Sequence, residues 1–440
     1  MEKKDFTMSG RIAAGVTHWI GDGYQESENS VNRSAHGAVI KAIPMTDIAE
    51  STMIMPPIPA VSPPLPVAME QVAAPQRGLL SRCGSALDWL FGFAALVAAL
   101  AACSVIPLLN FLSLGYLLHV SGTVARTGRL RDAFIGVRKA SVVGSMVAGI
   151  WLVLWPARIL SAFWRDAELI APGSTTATLW RLGLISVTLL TFGHIAWACI
   201  RGGRLMHFLW PAPVRFIRWL LAGNKFDNIQ RVTMDYLLGL RLPFYFWLGL
   251  RGFVGALIWL IAPVGLLMLA TRLPAGGAAL VSLPSLLLLL LVAIHLPFLQ
   301  AHFAETGRFG AMFELREIRS RFRRAPWAFW LALVVTLLFA IPLYLLKIEL
   351  TPRELAWLPS LVFVAFIFPA RVLTGWATSR ALRRETDRHW TARWLGRFAI
   401  LPVAVVYALV VYLTPFLSWN GARSLLEQHA FLVPAPLMAL

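Results

Sequence analysis

The chain has 440 residues, of which 58% are hydrophobic and only 14% are charged, and its formal net charge is +18. A soluble protein usually carries about 25% charged residues, so this composition excludes an ordinary soluble domain. Because the basic residues lie between long apolar stretches, we interpret the charge as attraction to anionic lipid, and we expect no nucleic-acid partner. The spacing of the 3 cysteines fits neither a disulfide framework nor a metal site.

Residues 1–88 differ in composition from the rest of the chain. Residues 1–55 are polar without a sustained period, and residues 56–76 are rich in proline, which favours an extended linker over a packed core. We predict a disordered, Pro-rich cytoplasmic tail over 1–88. A docking tail for a Pro-recognising partner is the alternative.

Nine apolar segments follow the tail. A helix rises about 1.5 Å per residue, so about 20 residues cross a hydrocarbon core of about 30 Å. The sequence therefore predicts an all-α, polytopic helical membrane protein. Its predicted membrane segments, which together make a transmembrane domain over 89–417, are 89–105, 107–120, 141–157, 182–200, 252–271, 279–300, 327–346, 355–370 and 398–417.

The first two of these segments form a special case. Residues 89–120 are too long for one upright span and short for two, and Pro107 lies in the middle. Proline lacks the backbone donor that a continuing helix needs. We predict a helical hairpin with its turn near Pro107 rather than a single tilted span. Whether its two legs cross fully or form a re-entrant loop stays open, since a turn at membrane depth needs protein cover.

The connecting segments alternate in charge. The segments 121–140, 201–243, 301–326 and 371–397 carry 25 Lys+Arg together, whereas the intervening segments carry seven. Cytoplasmic loops are the basic ones in membrane proteins. We therefore predict a multi-pass protein of the bacterial inner membrane with a cytoplasmic N-terminus. The short C-terminal segment 418–440 is then periplasmic.

A weak internal repeat links two of the basic segments. "TGRLRDAF" occupies 127–134 and "TGRFGAMF" occupies 306–313, 179 residues apart. Gly128 and Gly307 are expected to end their helices in the left-handed conformation. Each copy directly follows a segment that enters the predicted cytoplasmic side.

Topology extends this repeat to the whole apolar region. Each copy precedes a span, an outer loop, a span, a basic loop and another span. After one leading helix, the sequence therefore predicts two parallel four-span units, roughly 107–271 and 279–417. Parallel repeats are one plan of transport proteins.

A family resemblance rests on two blocks. The first is "IPLLNFLSLGYLLHVSGTVARTGRLRDAF" over 106–134, and the second is "HFAETGRFGAMFELREI" over 302–318. The Ile-Pro hairpin, the Gly-Tyr-Leu that follows and the Thr-Gly-Arg basic segment resemble a bacterial family of polytopic membrane proteins that carry a domain of unknown function. The resemblance implies an architecture and no activity, and the Pro-rich tail looks like an addition specific to this chain.

The basic segments contain amphipathic patterns. In 310–324, Ala311, Leu315, Ile318 and Phe322 share one helical face at 4-3-4 spacing, and arginines cover much of the remainder. Helices of this kind lie in the membrane interface and attract anionic head groups. The candidate head-group-binding residues are Arg129, Arg131, Arg215, Arg218, Arg316, Arg319, Arg323 and Arg324.

The sequence offers no catalytic, cofactor or metal motif, and we expect the protein not to be an enzyme. The predicted segments contain no carboxylate, which disfavours intramembrane aspartyl chemistry and ion-coupled transport. Their main polar residues are Asn110, His119, His194, His295 and Gln300. The first hypothesis is a non-catalytic scaffold that binds membrane lipids and possible membrane protein partners. The alternative is a permease for a small or lipidic solute, which a water-accessible, polar-lined path between the units would favour.

Overall fold

The computed structural model describes residues 79–221, 226–345, 357–417 and 421–427. Within these ranges the chain forms helices and no strand. The long helices are α1 (Leu79–Val105), α2 (Pro107–Thr127), α3 (Val137–Ile170), α4 (Thr175–Ile200), α8 (Leu242–Ala270), α9 (Ala275–Thr306), α11 (Pro326–Leu345), α12 (Trp357–Leu382) and α13 (Trp390–Leu417). Shorter helices are α5 (Leu205–Leu209), α6 (Pro213–Leu221), α7 (Phe226–Leu238), α10 (Leu315–Arg324) and α14 (Ser424–Glu427), with 3-10 turns at Leu130–Ala133, Phe309–Phe313 and Gly421–Arg423.

The long helices confirm an all-α multi-pass protein. In the described part of the chain, 8 helices are long and apolar enough to cross a membrane. Helices α10 and α11 meet at a bend of 113°, and the count rises to 9 if this bent pair is one span. Each of the nine predicted segments lies almost wholly within one of the nine long helices.

The helices extend beyond the predicted segments. Helix α1 begins at Leu79, inside the predicted tail, so the boundary at 88 is wrong, and residues 1–78 lie outside the described part of the chain. Helix α3 continues to Ile170 through the predicted outer loop, and α12 continues to Leu382. Apolar runs end where the bilayer ends, but charged and polar residues with good helix propensity carry the helix further. As a result Arg371, predicted in a basic loop, lies within α12.

The Pro107 hairpin is present. Helix α1 ends at Val105, Ile106 is extended (φ −91°, ψ 121°), and Pro107 is the first residue of α2. Proline fits this position because the first turn of a helix has no partner for its N–H. The Ser113 hydroxyl donates a hydrogen bond to the Leu100 carbonyl over 2.8 Å, so the two legs run back along each other.

Helix α2 is the centre of the bundle and packs against α1, α8, α9 and α12. Two glycines bring α2 and α8 together. A Cβ at Gly115 would meet the Tyr245 carbonyl, and a Cβ at Gly249 would meet the Phe111 carbonyl. Small residues at such crossings let helix backbones touch, which is the main route to tight packing in lipid.

Apolar side chains fill the core between α2, α8, α9, α11 and α13. Leu118, Leu296, Leu299, Phe303 and Leu337 have no measurable exposure. Helices α3 and α4 form a hairpin at the edge of the bundle, and α3 joins it through α1. The exposed apolar side chains of this hairpin suit contact with lipid.

Candidate functional site on the basic face

The two Thr-Gly-Arg turns end their helices in the same way. Gly128 ends α2 with φ 65° and ψ 13°, and Gly307 ends α9 with φ 70° and ψ −3°. The N–H of each glycine donates to a carbonyl four residues earlier, Val124 and Phe303, over 2.8 Å. Only glycine adopts this left-handed conformation without strain, so the predicted caps are confirmed.

The repeat continues past the glycines. The Thr127 hydroxyl accepts a hydrogen bond from the Arg129 N–H over 3.3 Å, and the Thr306 hydroxyl accepts one from the Arg308 N–H over 3.4 Å. A 3-10 turn follows in each copy. Each threonine therefore fixes the direction in which the chain leaves its helix.

The carboxyl ends of α2 and α9 lie side by side. The Arg126 guanidinium donates to the carbonyls of Ala304 and Glu305 over 3.1 and 2.9 Å. One turn earlier, a Cβ at Gly122 would meet the Ala304 carbonyl. The carboxyl ends of the two helices therefore contact each other directly. A cation is also favourable there, because the last carbonyls of a helix carry partial negative charge.

Beneath the second turn lies a group of charged side chains, the α9–α10 ion cluster: His302, Glu305, Glu314, Glu317 and Arg321. The Arg321 guanidinium contacts the Glu305 carboxylate at 2.6 Å and the Glu317 carboxylate at 2.8 Å. The side chains of Arg321 and Glu305 are only 5% and 14% exposed. Charges that leave water need such pairing, so Arg321 and Glu305 depend on each other.

Histidine connects the remaining carboxylate to the cluster. His302 Nε2 lies 2.8 Å from a Glu314 carboxylate oxygen, and His302 Nδ1 lies 3.5 Å from Glu305. Arg308 of the Thr-Gly-Arg turn approaches Glu314 at 3.4 Å. The hydrogen bond with His302 holds the pKa of Glu314 below its usual value, and the charges of His302 and Arg308 act in the same direction.

The eight predicted head-group residues lie on three separate segments. Arg129 and Arg131 are exposed at the first turn, Arg215 and Arg218 are exposed on α6, and Arg316, Arg319, Arg323 and Arg324 belong to α10.

Within α10 the four arginines are not equivalent. Arg316 and Arg319 are exposed, whereas Arg323 lies 3.5 Å from Asp387. Arg324 is half-buried, and its carbonyl accepts a hydrogen bond from Arg384.

The predicted helix over 310–324 begins later than expected. Residues Phe309–Phe313 form a 3-10 turn, and α10 starts at Leu315, so Ala311 is buried in the turn and not on the helix. Ile318, predicted on the apolar face of a helix in the membrane interface, is buried in the protein core. Arg321, which is not among the predicted head-group residues, is buried beside it. The spacing of Glu317 and Arg321, four residues apart, was the sequence signal for this pair.

A second polar group lies inside the bundle. Arg371 of α12 is 4% exposed, and its Nη1 donates to the Gln300 Oε1 of α9 over 2.6 Å. One turn further along α12, the hydroxyls of Thr374 and Ser121 lie 3.3 Å apart. Sequence reasoning missed Arg371 because it directly follows an apolar run and looks like the first residue of a loop.

In the described part of the chain, no group of three or more His, Cys, Asp or Glu side chains is arranged to hold a metal ion. In the ion cluster, Glu305 and Glu317 pair with Arg321, and Glu314 pairs with His302. These ion pairs hold α10 against the carboxyl end of α9.

The fold defines the class of the molecule, which is a multi-pass helical membrane protein. Residues 242–350 match the model of a family described as a protein of unknown function (DUF4013). The match starts at α8 and extends over the second Thr-Gly-Arg turn. The predicted likeness to polytopic proteins with a domain of unknown function is confirmed, whereas the likeness of the individual motif stays a prediction. Residues 106–134 lie outside the match, and their resemblance stays a prediction. No curated protein and no solved structure matches the chain.

Proposed function

We propose that the protein is a non-catalytic scaffold of the bacterial inner membrane that binds anionic lipid head groups through its basic face. The observation that carries the proposal is the geometry of α10. This helix meets α11 at 113°, buries Ile318 and Arg321, and exposes Arg316 and Arg319. If α11 crosses the bilayer, α10 lies near the membrane plane, with its exposed arginines available to lipid phosphates.

Helix α6 supports the same proposal. Arg215 and Arg218 are exposed, and so are the apolar side chains Val214, Ile217 and Leu221. An amphipathic helix that packs little of its apolar side against protein is suited to insertion at the acyl boundary. Each basic residue near an anionic surface then contributes about 1 kcal/mol of attraction.

The charge distribution supports an orientation for this face. The four most basic connecting segments alternate with segments poor in Lys and Arg. Basic loops stay in the cytoplasm. In this proposal the two Thr-Gly-Arg turns and the N-terminus are therefore cytoplasmic. The C-terminal segment lies on the periplasmic side in this proposal.

One observation favours the alternative, a permease for a small or lipidic solute. Arg371, Gln300, Ser121 and Thr374 are buried polar residues between α2, α9 and α12. Buried polar side chains at membrane depth often mark a solute path. The Leu, Val and Phe side chains that fill the core beside them favour the scaffold instead.

The lipid proposal is tested by replacing Arg316 and Arg319 with glutamine. Neither arginine has an ion-pair partner among the described residues, so the double variant should fold normally. Loss of two charges that each contribute about 1 kcal/mol should lower the ratio of phosphatidylglycerol to phosphatidylethanolamine co-purified with the protein several-fold. Mass spectrometry of the lipids measures this ratio.

A matched control removes the same charge elsewhere. Arg158 and Arg165 are exposed near the end of α3, on the predicted periplasmic side, and their double glutamine variant should keep the wild-type lipid ratio. Labelling of a single cysteine at position 310 or 385, in a background without the native cysteines, checks that each variant keeps its topology. Equal lipid ratios in the two double variants would contradict the proposal.

A further inference from the structure

Arg371 lies at the middle of a candidate membrane span. The apolar part of α12 that could cross a bilayer is Pro359–Leu382, and Arg371 falls at its midpoint. Its side chain is buried between α12, α2 and α9 rather than directed to lipid. A charge at this depth is unfavourable by several kcal/mol, and arginine does not lose its proton in proteins.

The contacts of Arg371 with the described residues include no counterion for this charge. Nη1 donates to the neutral amide oxygen of Gln300, and Nη2 is buried without a hydrogen-bond partner. Among the described residues no carboxylate forms an ion pair with Arg371. Arg321, a buried arginine of α10, contacts two carboxylates, so the described residues supply counter-charge at Arg321 and none at Arg371.

Two threonines follow Arg371 along α12 toward the basic face. The Thr374 hydroxyl donates to the Arg371 carbonyl, and the Thr378 hydroxyl donates to the Thr374 carbonyl, each over 2.9 Å. Further along, Arg383 donates to the Thr127 carbonyl beside the first Thr-Gly-Arg turn. The Thr374 and Thr378 hydroxyls thus donate to backbone carbonyls, whereas Arg371 Nη2 is a buried donor without an acceptor among the described residues.

We propose that Arg371 is the centre of an intramembrane binding site for a small monovalent inorganic anion such as chloride. The anion accepts hydrogen bonds from Nη2 and neutralises the guanidinium. One guanidinium beside a neutral amide supplies one positive charge, which suits a single negative charge. Arg371 is buried between helices, so a lipid phosphate, which lies at the lipid-exposed interface, does not contact it.

The unaltered full-length protein gives the first test. Its thermal unfolding is measured in detergent with sodium chloride and with sodium gluconate at equal ionic strength. A ligand that binds only the folded state raises the melting temperature, so chloride should raise it by a few degrees over gluconate. Equal melting temperatures in the two salts would overturn the proposal.

A substitution at the site shows where the anion binds. Arg371→Gln should abolish the difference between chloride and gluconate. The matched control is Arg380→Gln, which removes the same charge from an exposed position on the same helix, where Arg380 stacks on Trp376 at 5.0 Å. The control should keep the full chloride effect. A chloride effect that persists in Arg371→Gln, or disappears in Arg380→Gln, places the binding elsewhere and refutes the site.

A third variant keeps the test decisive if Arg371→Gln does not fold. Gln300→Glu puts a carboxylate where Arg371 Nη1 now meets an amide oxygen, so the chain supplies its own anion. This variant should melt in gluconate at or above the wild-type temperature in chloride, and chloride should add nothing. A Gln300→Glu protein with the full chloride effect would show that Arg371 does not bind the anion. The inference is independent of the lipid proposal, since no residue of α6 or α10 takes part in it.

Discussion

The turn at 127–134 and the turn at 306–313 have the same backbone conformation and different electrostatic surroundings. Both begin with a left-handed glycine, both use a threonine hydroxyl to accept the following arginine N–H, and both continue into a 3-10 turn. The residue before the threonine is Arg126 in the first copy and Glu305 in the second. The local sequence therefore determines the glycine cap. The charge of the residue before the threonine is instead balanced by groups on the neighbouring helix.

The opposite signs have different energetic consequences. Arg126 is a cation beside the last carbonyls of a neighbouring helix, where a cation is favourable. Glu305 is an anion in the last turn of its own helix, where the partial negative charge of the carbonyls repels it. Arg321 offsets this repulsion from α10. The second turn thus depends on a tertiary ion pair that the first does not need.

The largest expected effect comes from removing that ion pair. Arg321→Met keeps the volume of the side chain and leaves the Glu305 carboxylate buried without its main partner. Breaking a buried pair in this way costs about 3 kcal/mol or more of unfolding free energy. Denaturant unfolding in detergent measures the loss. The double variant Arg321→Met with Glu305→Gln should recover much of it, because no unpaired charge remains.

Arg319→Met is the matched control for this substitution. Arg319 is exposed on the same helix, two residues away, and its replacement should change the unfolding free energy by less than about 0.5 kcal/mol. A similar small change for Arg321→Met would mean that the second turn does not rely on the ion pair.

The next largest effect tests the shared backbone. A side chain in the left-handed conformation costs about 1–2 kcal/mol, so Gly128→Ala and Gly307→Ala should each destabilise the protein by at least about 1 kcal/mol. Gly128→Ala should cost more than this strain alone, since a Cβ there would meet the side chains of Arg383 and Ser379. Thermal unfolding of the two variants measures both effects.

Gly310 provides a control from within the second turn. A Cβ at Gly310 would meet nothing within 4 Å, and its φ is not positive. Gly310→Ala should therefore leave stability nearly unchanged. If all three variants behave alike, the two caps do not hold their helix ends in the way proposed.

The sequence predicted those parts of the fold that depend on local pattern. Apolar runs located the long helices, Pro107 located the hairpin turn, and Gly128 and Gly307 located the caps. The ends of the helices were less predictable, because α3 and α12 continue through polar residues after the apolar pattern stops. Pro326, the first residue of α11, is a local signal for the break after α10, whereas the angle of 113° has no local signal.

Of the candidate site, only the exposed arginines could be predicted from the sequence. An arginine-rich segment shows that charge is present, and Arg316 and Arg319 are exposed as expected. Hydropathy does not distinguish them from Arg321 and Arg371, which are buried. Whether an arginine is buried depends on its tertiary contacts. Arg321 contacts Glu305 of α9, and Arg371 contacts Gln300 of α9. Such long-range contacts have no periodic signature along the chain.

The smallest expected effect is a pH dependence of stability that arises from Glu314 at the second turn. The pKa of Glu314 is held below its usual value, first by the hydrogen bond with His302 and then by the charges of His302, Arg308 and Arg321. An acid whose pKa is lowered by folding stabilises the protein above its unfolded pKa of about 4.3, and this stabilisation is lost as the pH falls through the folded pKa.

Glu314→Gln removes this contribution. The variant should be less stable than the wild type at pH 5, and the difference should shrink as the pH falls below about 4.3. Thermal unfolding between pH 3 and pH 5 measures it, and the other carboxylates of the ion cluster are present in both proteins. The control Glu385→Gln removes an exposed carboxylate that has no ion pair among the described residues, and it should show no such convergence. A Glu314→Gln difference that stays constant down to pH 3 would mean that shape and not charge holds Glu314 against His302. The second turn would then resemble the first, which forms its cap without a titrating partner.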